Sequence, residues 1–288
     1  MNYLLHLMII AEIYIMLSLS TSLVVQTGIL SLAQGAFFGI GAYTTALLMV
    51  NLGFGFSPAF VLSIIVSTLL SFAMSLVLLP LKGDHVILGT LGFQVLIFSV
   101  LYNWVGLTRG SYGISSIPRP SIAGFKIDSL ILFALLGLGI MAIVCGFLTL
   151  VFRSPFGRVL RAIRDDETAA LGLGKKADSF KARSIAVSGA CAAAAGSVYA
   201  TYMTFIDPMS FTTDSSILIL SMVIVGGVGN VKGPAIGALA LILISESLRF
   251  LALPYSLASN VSMIIYGVLL VLLMRFRPKG LVGRYQFD

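Results

Sequence analysis

The chain has 288 residues, 58% hydrophobic and 10% charged, with a net charge of +7 and a mean hydropathy of +1.05. A soluble domain carries about 25% charged residues, and a water-soluble globule of this length cannot hide so much apolar side chain. The cations cluster between apolar runs and lie beside no aromatic platform for bases, which argues against nucleic acid as a partner and for lipid as the solvent.

Taken in order, the apolar runs predict an all-α polytopic transmembrane bundle of about nine spans, where roughly 20 helical residues cover a core of about 30 Å. They fall at residues 4–25, 35–51, 58–81, 85–105, 129–152, 184–205, 215–229, 233–250 and 257–274. The whole chain, 1–288, reads as one transmembrane domain. The first run has no Lys or Arg and no small-residue cleavage site, so it reads as a retained span and not a removable signal peptide. A Gly/Pro/Ser-rich stretch at 106–128 separates the fourth and fifth runs. The runs at 35–51 and 215–229 are short and rich in glycine. Such spans are either broken helices beside a transport path or tightly packed structural helices.

Charge sets the orientation. Residues 153–183 hold eight of the 18 Lys and Arg and four of the 11 Asp and Glu. The positive-inside rule places this island in the cytoplasm. Counting spans from it places the basic tail (Arg275, Arg277, Lys279, Arg284) inside and the cation-free N-terminus outside.

Within the island, Ser154 and Pro155 form a helix start, and Gly172 and Gly174 are stops. A helical wheel puts Val159, Leu160 and Ile163 on one side and Arg158, Arg161 and Arg164 on the other. Read as one helix between that start and those stops, the island has its charges in the wrong order for the macrodipole: arginines first, then Asp165, Asp166 and Glu167. The pairs Arg161–Asp165 and Arg164–Glu167 are expected to recover part of that cost. The arginine ridge therefore faces either a partner or lipid headgroups.

Polar side chains at membrane depth need partners or water. Ser31, Gln34 and Tyr43, set among Gly28, Gly35, Gly39 and Gly41, are candidates for a water-lined substrate path. Thr90 and Gln94, one turn apart, are expected to face it too. The GxxxG pairs Gly35/Gly39 and Gly233/Gly237 read more simply as sites of close helix approach. Glu12 reads as a hydrogen-bonded structural acid or, less simply, a proton or substrate site. Glu246 and Arg249 are spaced to pair. Asp207 and Asp214 flank a turn and are solvated or contact a delivery protein. Cys145 and Cys191 lie in apolar runs and read as small hydrophobes. His6 and His85 are far apart, and no metal-ligand spacing occurs. The nearest approach to a phosphate-binding loop, residues 226–233, lacks its Lys-Ser/Thr ending and a preceding strand. No hydrolytic motif stands out, so enzyme activity on this chain alone is not expected.

Five stretches carry a family resemblance. SPFGRVLRAIRDDETAALGLG in the island, GILSLAQGAFFGIGAYTTALL from Gly28, LTRGSYGISSIP from Leu107, GGVGNVKGPAIGA from Gly226 and FRPKGLVG from Phe276 resemble the permeases of ABC importers for branched-chain amino acids, in particular their M-type (second) subunit. The resemblance covers most of the chain, which is slightly short at its N-terminus for such permeases, as though a further N-terminal span were missing or not needed. It implies a permease of a bacterial inner membrane working by alternating access on leucine, isoleucine, valine or related amino acids, amides or urea. It also implies a second homologous permease (H-type), two cytoplasmic ATPases that hold ATP and Mg, and an extracytoplasmic substrate-binding protein, with no cofactor on this chain. In that frame Arg158, Leu160, Arg161, Ile163, Arg164, Asp165 and Glu167 belong to a coupling helix, 158–171, that docks on the ATPase. The rival reading is an ATPase-independent secondary transporter or channel using intramembrane acids such as Glu12 and Glu246. A third is a membrane scaffold whose arginines lie on anionic lipid.

Overall fold

The computed structural model describes residues 2–78, 80–81, 84–122, 125–249, 267–268, 275 and 280–282. The helices in chain order are α1 (Asn2–Val25), α2 (Gln34–Asn51), α3 (Phe56–Leu78), α4 (Asp84–Asn103), α5 (Val105–Thr108), α6 (Leu130–Arg153), α7 (Pro155–Asp165), α8 (Glu167–Gly172), α9 (Ala177–Met203), α10 (Thr213–Gly226) and α11 (Lys232–Arg249). The expected all-helical bundle is present, with one addition: a two-residue antiparallel ladder pairs Ser121 with Lys126 and Ile122 with Phe125.

Six segments are long and apolar enough to cross a membrane: Tyr3–Val25, Phe56–Leu78, His85–Asn103, Leu130–Arg153, Ala177–Met203 and Pro208–Gly226. The expected count of nine is not reached among the described residues. Helices α2 and α11 have 18 residues each and are not among the six, and the run at 257–274 lies almost wholly outside the described residues.

Helix α9 is the axis. Its sequence, ADSFKARSIAVSGACAAAAGSVYATYM, combines high helix propensity with minimal side-chain volume. Within its apolar window 83% of residues are buried, against 33% for α3, 22% for α6 and 17% for α4, which form the outer layer. Backbones meet here almost directly. A methyl group added at Gly196 would lie 2.2 Å from the carbonyl oxygen of Phe38, and one at Gly41 would lie 2.4 Å from the Cα of Ala193. Helix α3 approaches α9 through serines spaced four apart, Ser63, Ser67, Ser71 and Ser75, all fully buried. Ser197 of α9 is hydrogen-bonded to both Ser63 and Thr45, each at 2.7 Å, and Ser67 donates to the carbonyl of Gly189 at 2.9 Å. In an apolar medium such small-residue packing and interhelical bonding replace the hydrophobic drive.

The ends of the bundle follow from these contacts. Helix α1 runs antiparallel to α9: His6 meets Tyr202 near the last turn of α9, and Gly28, just past α1, lies against Arg164 of α7. The N-terminus and the charged island are therefore at opposite ends. Tyr3 also donates to Glu246 at the far end of α11; the side chain of Arg249, the expected partner of Glu246, lies outside the described residues.

Overpacking a tight crossing typically costs about 1–3 kcal/mol. Gly196→Val is expected to lower the thermal midpoint of the detergent-solubilised chain. Gly139→Val, whose added atoms would meet nothing within 4 Å, is expected to leave it nearly unchanged. Size-exclusion thermostability of a fluorescent fusion reads both.

Candidate functional site

Two short helices start inside the bundle. After α1, residues 26–28 make a turn in which Gly28 takes φ +81°, a left-handed conformation that suits glycine. Residues 29–33 then run without helix back into the bundle, and only at Gln34 does α2 begin. Helix α10 is preceded in the same way by a single tight turn, Pro208–Phe211, whose start is capped by Asp207 accepting from the Ser210 amide (3.2 Å) and hydroxyl (2.6 Å). Helix α10 has 14 residues, about 21 Å at 1.5 Å per residue, too short to cross a membrane core alone. The short, glycine-rich runs are thus discontinuous spans.

The first turns of α2 and α10 meet. The amide of Gly35 donates to Ser216 Oγ at 2.9 Å. Ser216 Oγ donates to Gln94 Oε1 at 3.2 Å, and Gln94 Nε2 donates to the carbonyl of Phe211 at 2.7 Å. Gln94, Ser216 and Gly35 are all buried. Gln94 stands at the centre of the apolar window of α4. Two helix N-termini, each positive, thus converge on a glutamine–serine pair at mid-depth. One turn away, Thr90 Oγ1 accepts from the amide of Leu32 at 3.1 Å, holding the extended segment.

The six expected path residues separate into two groups. Thr90 and Gln94 join this junction. Gln34 turns to the opposite side, donating to Ser20 Oγ and accepting from Ser188 at 3.2 Å; it ties α2 to α1 and α9. Gly41 is spent on the α9 crossing. Ser31 accepts from the amide of Ala33 at 3.3 Å. The Tyr43 ring packs edge-on against Phe211, 5.8 Å between centroids. All six are buried within this chain. Sequence reading missed Ser216, Phe211 and the serines of α3. The four-residue spacing of those serines was the available signal; Ser216 offered none beyond its place in a short run. Glu12 is buried, and among the described residues neither carboxyl oxygen has a hydrogen-bond partner. Its carboxyl fits where Gly137 of α6 leaves room, so the expected hydrogen-bonded arrangement is not what the structure has.

The island departs from the single helix expected over 158–171. Asp166 leaves helical geometry (φ −156°, ψ 105°) and splits it into α7 and α8. Ser154 caps α7, accepting from the Gly157 amide at 3.3 Å, with Pro155 first in the helix as the sequence suggested. Asp166 caps α8, accepting from the Ala169 amide at 3.0 Å and the Thr168 hydroxyl at 2.6 Å. These bonds hold its carboxyl below the usual carboxylate range. Asp166 and Glu167 now stand at the start of a helix and Arg164 in the last turn of one, as the macrodipoles favour, while Asp165 at the last position of α7 is paired by Arg164. The expected pairs are replaced: Arg164 binds Asp165 at 2.8 Å, and Glu167 receives Lys181 of α9 at 2.6 Å.

Leu160 and Ile163 are buried, and Phe156 stacks on Phe180 of α9 at 5.5 Å. The three arginines do not form one exposed ridge. Arg158 is exposed, Arg161 folds back to the carbonyl of Phe152 (3.1 Å), and Arg164 is half-buried beside Gly28. The outward face of the α7–α8 unit carries Arg158, Ala162, Asp165 and Ala169, with exposed Leu171 and Leu173 beyond.

A helical bundle with two discontinuous spans meeting at a buried polar junction, and a helical unit clamped on one end, has the build of a multi-pass membrane permease. The profile of the family described as "Branched-chain amino acid transport system / permease component" matches residues 3–274, and the chain belongs to that family. It is 32% identical over 294 residues to the high-affinity branched-chain amino acid transport system permease protein LivM of Salmonella typhimurium, covering 94% of this chain and 68% of that one. The Escherichia coli LivM is 31% identical over the same shares. The autoinducer 2 import system permease protein LsrC of Yersinia pestis is 27% identical, over 85% of this chain and 69% of its own. No solved structure matches.

Removing one partner of a buried bond strands the other, at about 1–3 kcal/mol. Gln94→Leu is expected to destabilise the chain by that order and Ser216→Ala by less. The double variant is expected to fall short of the sum, the signature of direct coupling in a double-mutant cycle of thermal midpoints. The Asp166 cap stabilises α8 fully above the unfolded-chain pKa of about 3.9 and loses that contribution as pH falls through the lowered folded value. Protection of the Ala169 amide against hydrogen exchange, corrected for intrinsic rate, is expected to be flat at neutral pH, to fall in acid, and to be lost at all pH values in Asp166→Ala.

Proposed function

We propose that the chain is a permease subunit of an ABC importer for branched-chain amino acids in a bacterial plasma membrane, driven by ATP hydrolysis on partner chains. In this reading the island end is cytoplasmic and the N-terminus extracytoplasmic. Two cytoplasmic ATPases, a second homologous permease and an extracytoplasmic binding protein complete the complex. The family membership supports the transport class, and the names of the LivM relatives support the substrate class.

The observation that carries the coupling is the seating of α7. Its buried side is fixed to α9 through Leu160, Ile163 and the Phe156–Phe180 stack. Arg164 lies over Gly28, the turn that feeds the discontinuous span, with its Cγ 3.3 Å from where a Gly28 methyl would sit. An ATPase that moves the outward face of α7–α8 pushes on the segment leading to Gly35 and the Gln94–Ser216 junction. That junction then rearranges, and access alternates. Two positive helix ends favour a substrate carboxylate when the junction opens.

The path itself runs along the boundary with the second permease. The six path candidates are buried in this chain, whereas the outward face of α4 presents Gly92, Ser99 and Asn103 among Val95, Leu96 and Val100 in a shallow groove of about 680 Å³.

The test is co-expression with a homologous permease and its ATPase. Arg158→Glu is expected to cut ATPase co-purification roughly tenfold, the order of a lost interfacial charge contact, and to abolish leucine uptake into proteoliposomes loaded with ATP and supplied with the binding protein outside. Leucine uptake by this chain alone on a proton gradient, unaffected by Arg158→Glu, would overturn the reading.

A further inference from the structure

Beneath the bundle, at the island end, a cavity of about 800 Å³ lies between the last turn of α6 and the loop that enters α11. Arg153, Arg161 and Lys232 line it, with Thr149 and Asn230 between them. No Asp or Glu is among the described residues of its wall. The neutral polar groups are already engaged: Thr149 donates to the Cys145 carbonyl at 2.6 Å, and Asn230 binds the Val282 carbonyl at 3.0 Å and the Gly233 amide. Among the described residues no acid neutralises these cations: the two ion pairs there are Arg164–Asp165 and Lys181–Glu167, and Arg161 donates to the Phe152 carbonyl.

Three like charges around one hollow repel unless an anion enters. The position of the hollow identifies the anion. Helix α6 presents an exposed apolar stripe, Leu135, Ile143, Phe147 and Leu150, that ends in exposed Arg153. Acyl chains lying along that stripe bring their headgroup to the cavity mouth. Arginine forks suit phosphate oxygens, and lysine supplies a point charge.

We propose that this cavity binds the phosphate of an anionic phospholipid in the leaflet that faces the island. The proposal rests on the orientation given above, in which that leaflet is the inner one. It also gives Arg161 a role apart from the ATPase-facing surface: the bound lipid bridges α6, α7 and the 229–232 loop.

The test uses the full chain, purified in mild detergent and placed in nanodiscs of phosphatidylcholine or phosphatidylglycerol, with retained lipid counted by native mass spectrometry. No ATPase is needed, so the result is independent of the importer reading. Each cation near an anionic headgroup is worth roughly a fivefold preference. Phosphatidylglycerol is expected to be retained over phosphatidylcholine. Lys232→Gln, at an exposed site, should cut that preference roughly fivefold, and the Arg153→Gln/Arg161→Gln/Lys232→Gln variant should abolish it. Arg158→Gln, on the outward face, should leave it intact, and an unchanged thermal midpoint in phosphatidylcholine certifies folding of each variant. Equal retention of the two lipids by the wild-type chain would overturn the proposal. So would stabilisation by inorganic phosphate without a lipid preference, which gives the cavity to a soluble anion. Unchanged lipid preference in Lys232→Gln and the triple variant, with loss of ATPase co-purification, would give the cations to the partner chain instead.

Discussion

The backbone contact between α9 and its neighbours is the constraint on which the rest depends. Gly196 against Phe38 and Gly41 against Ala193 leave no room for side chains. Lipid offers no hydrophobic drive for helices to associate, so the bundle relies on dispersion at short range and on hydrogen bonds made where water is absent. The Thr45–Ser197–Ser63 chain shows the two working together: small residues bring three helices close, and the hydroxyls bond because they have been brought close. With α9 fixed, α2 has a surface to climb from a start deep in the protein.

That late start has a consequence for backbone chemistry. A helix beginning inside the bundle leaves amides without intrahelical partners, and none can be left bare in a dry interior. The structure supplies acceptors one by one: Thr90 for Leu32, Ser31 for Ala33, Ser216 for Gly35. Each is a side-chain oxygen on a single rotatable bond, unlike the continuous ladder of a spanning helix. These bonds are separate and not cooperative, so this part of the bundle is the part most readily rearranged.

How much of this was legible in the sequence depended on the scale of the signal. Apolar runs and their broken, glycine-rich exceptions are properties of whole segments: they located α1, α3, α4 and α6 to within a few residues, missed the charged first turns of α9, which starts at Ala177 and not at 184, and marked α2 and α10 as unusual. The start of α7 was equally legible, because Ser154-Pro155 is a local capping signal. Partnership was not. Gln34 and Gln94 look alike as polar residues in apolar runs, yet one braces α2 on α9 and the other holds the junction. The difference lies in which way each helix face turns, and no spacing within one segment specifies that. The break at Asp166 was hidden for a related reason: a single helix and two capped helices share one composition, and only the mismatch of charges with the macrodipole pointed to the second.

The resolved charge order bears on how force passes through the island. A long helix with opposed charges would be weakened from within and would fray when pushed. Two short helices, each capped, with Glu167 bound to Lys181 of α9 and Phe156 stacked on Phe180, form a block rather than a spring. Leu160 and Ile163 close its underside. A displacement applied to the outward face of such a block is not absorbed by local unwinding. It is delivered where the block touches less rigid chain, and such a place is Gly28, under Arg164, at the head of a segment that enters the bundle without helical bonds of its own. On physical grounds, the rigidity of the island and the softness of residues 29–33 are complementary halves of one device.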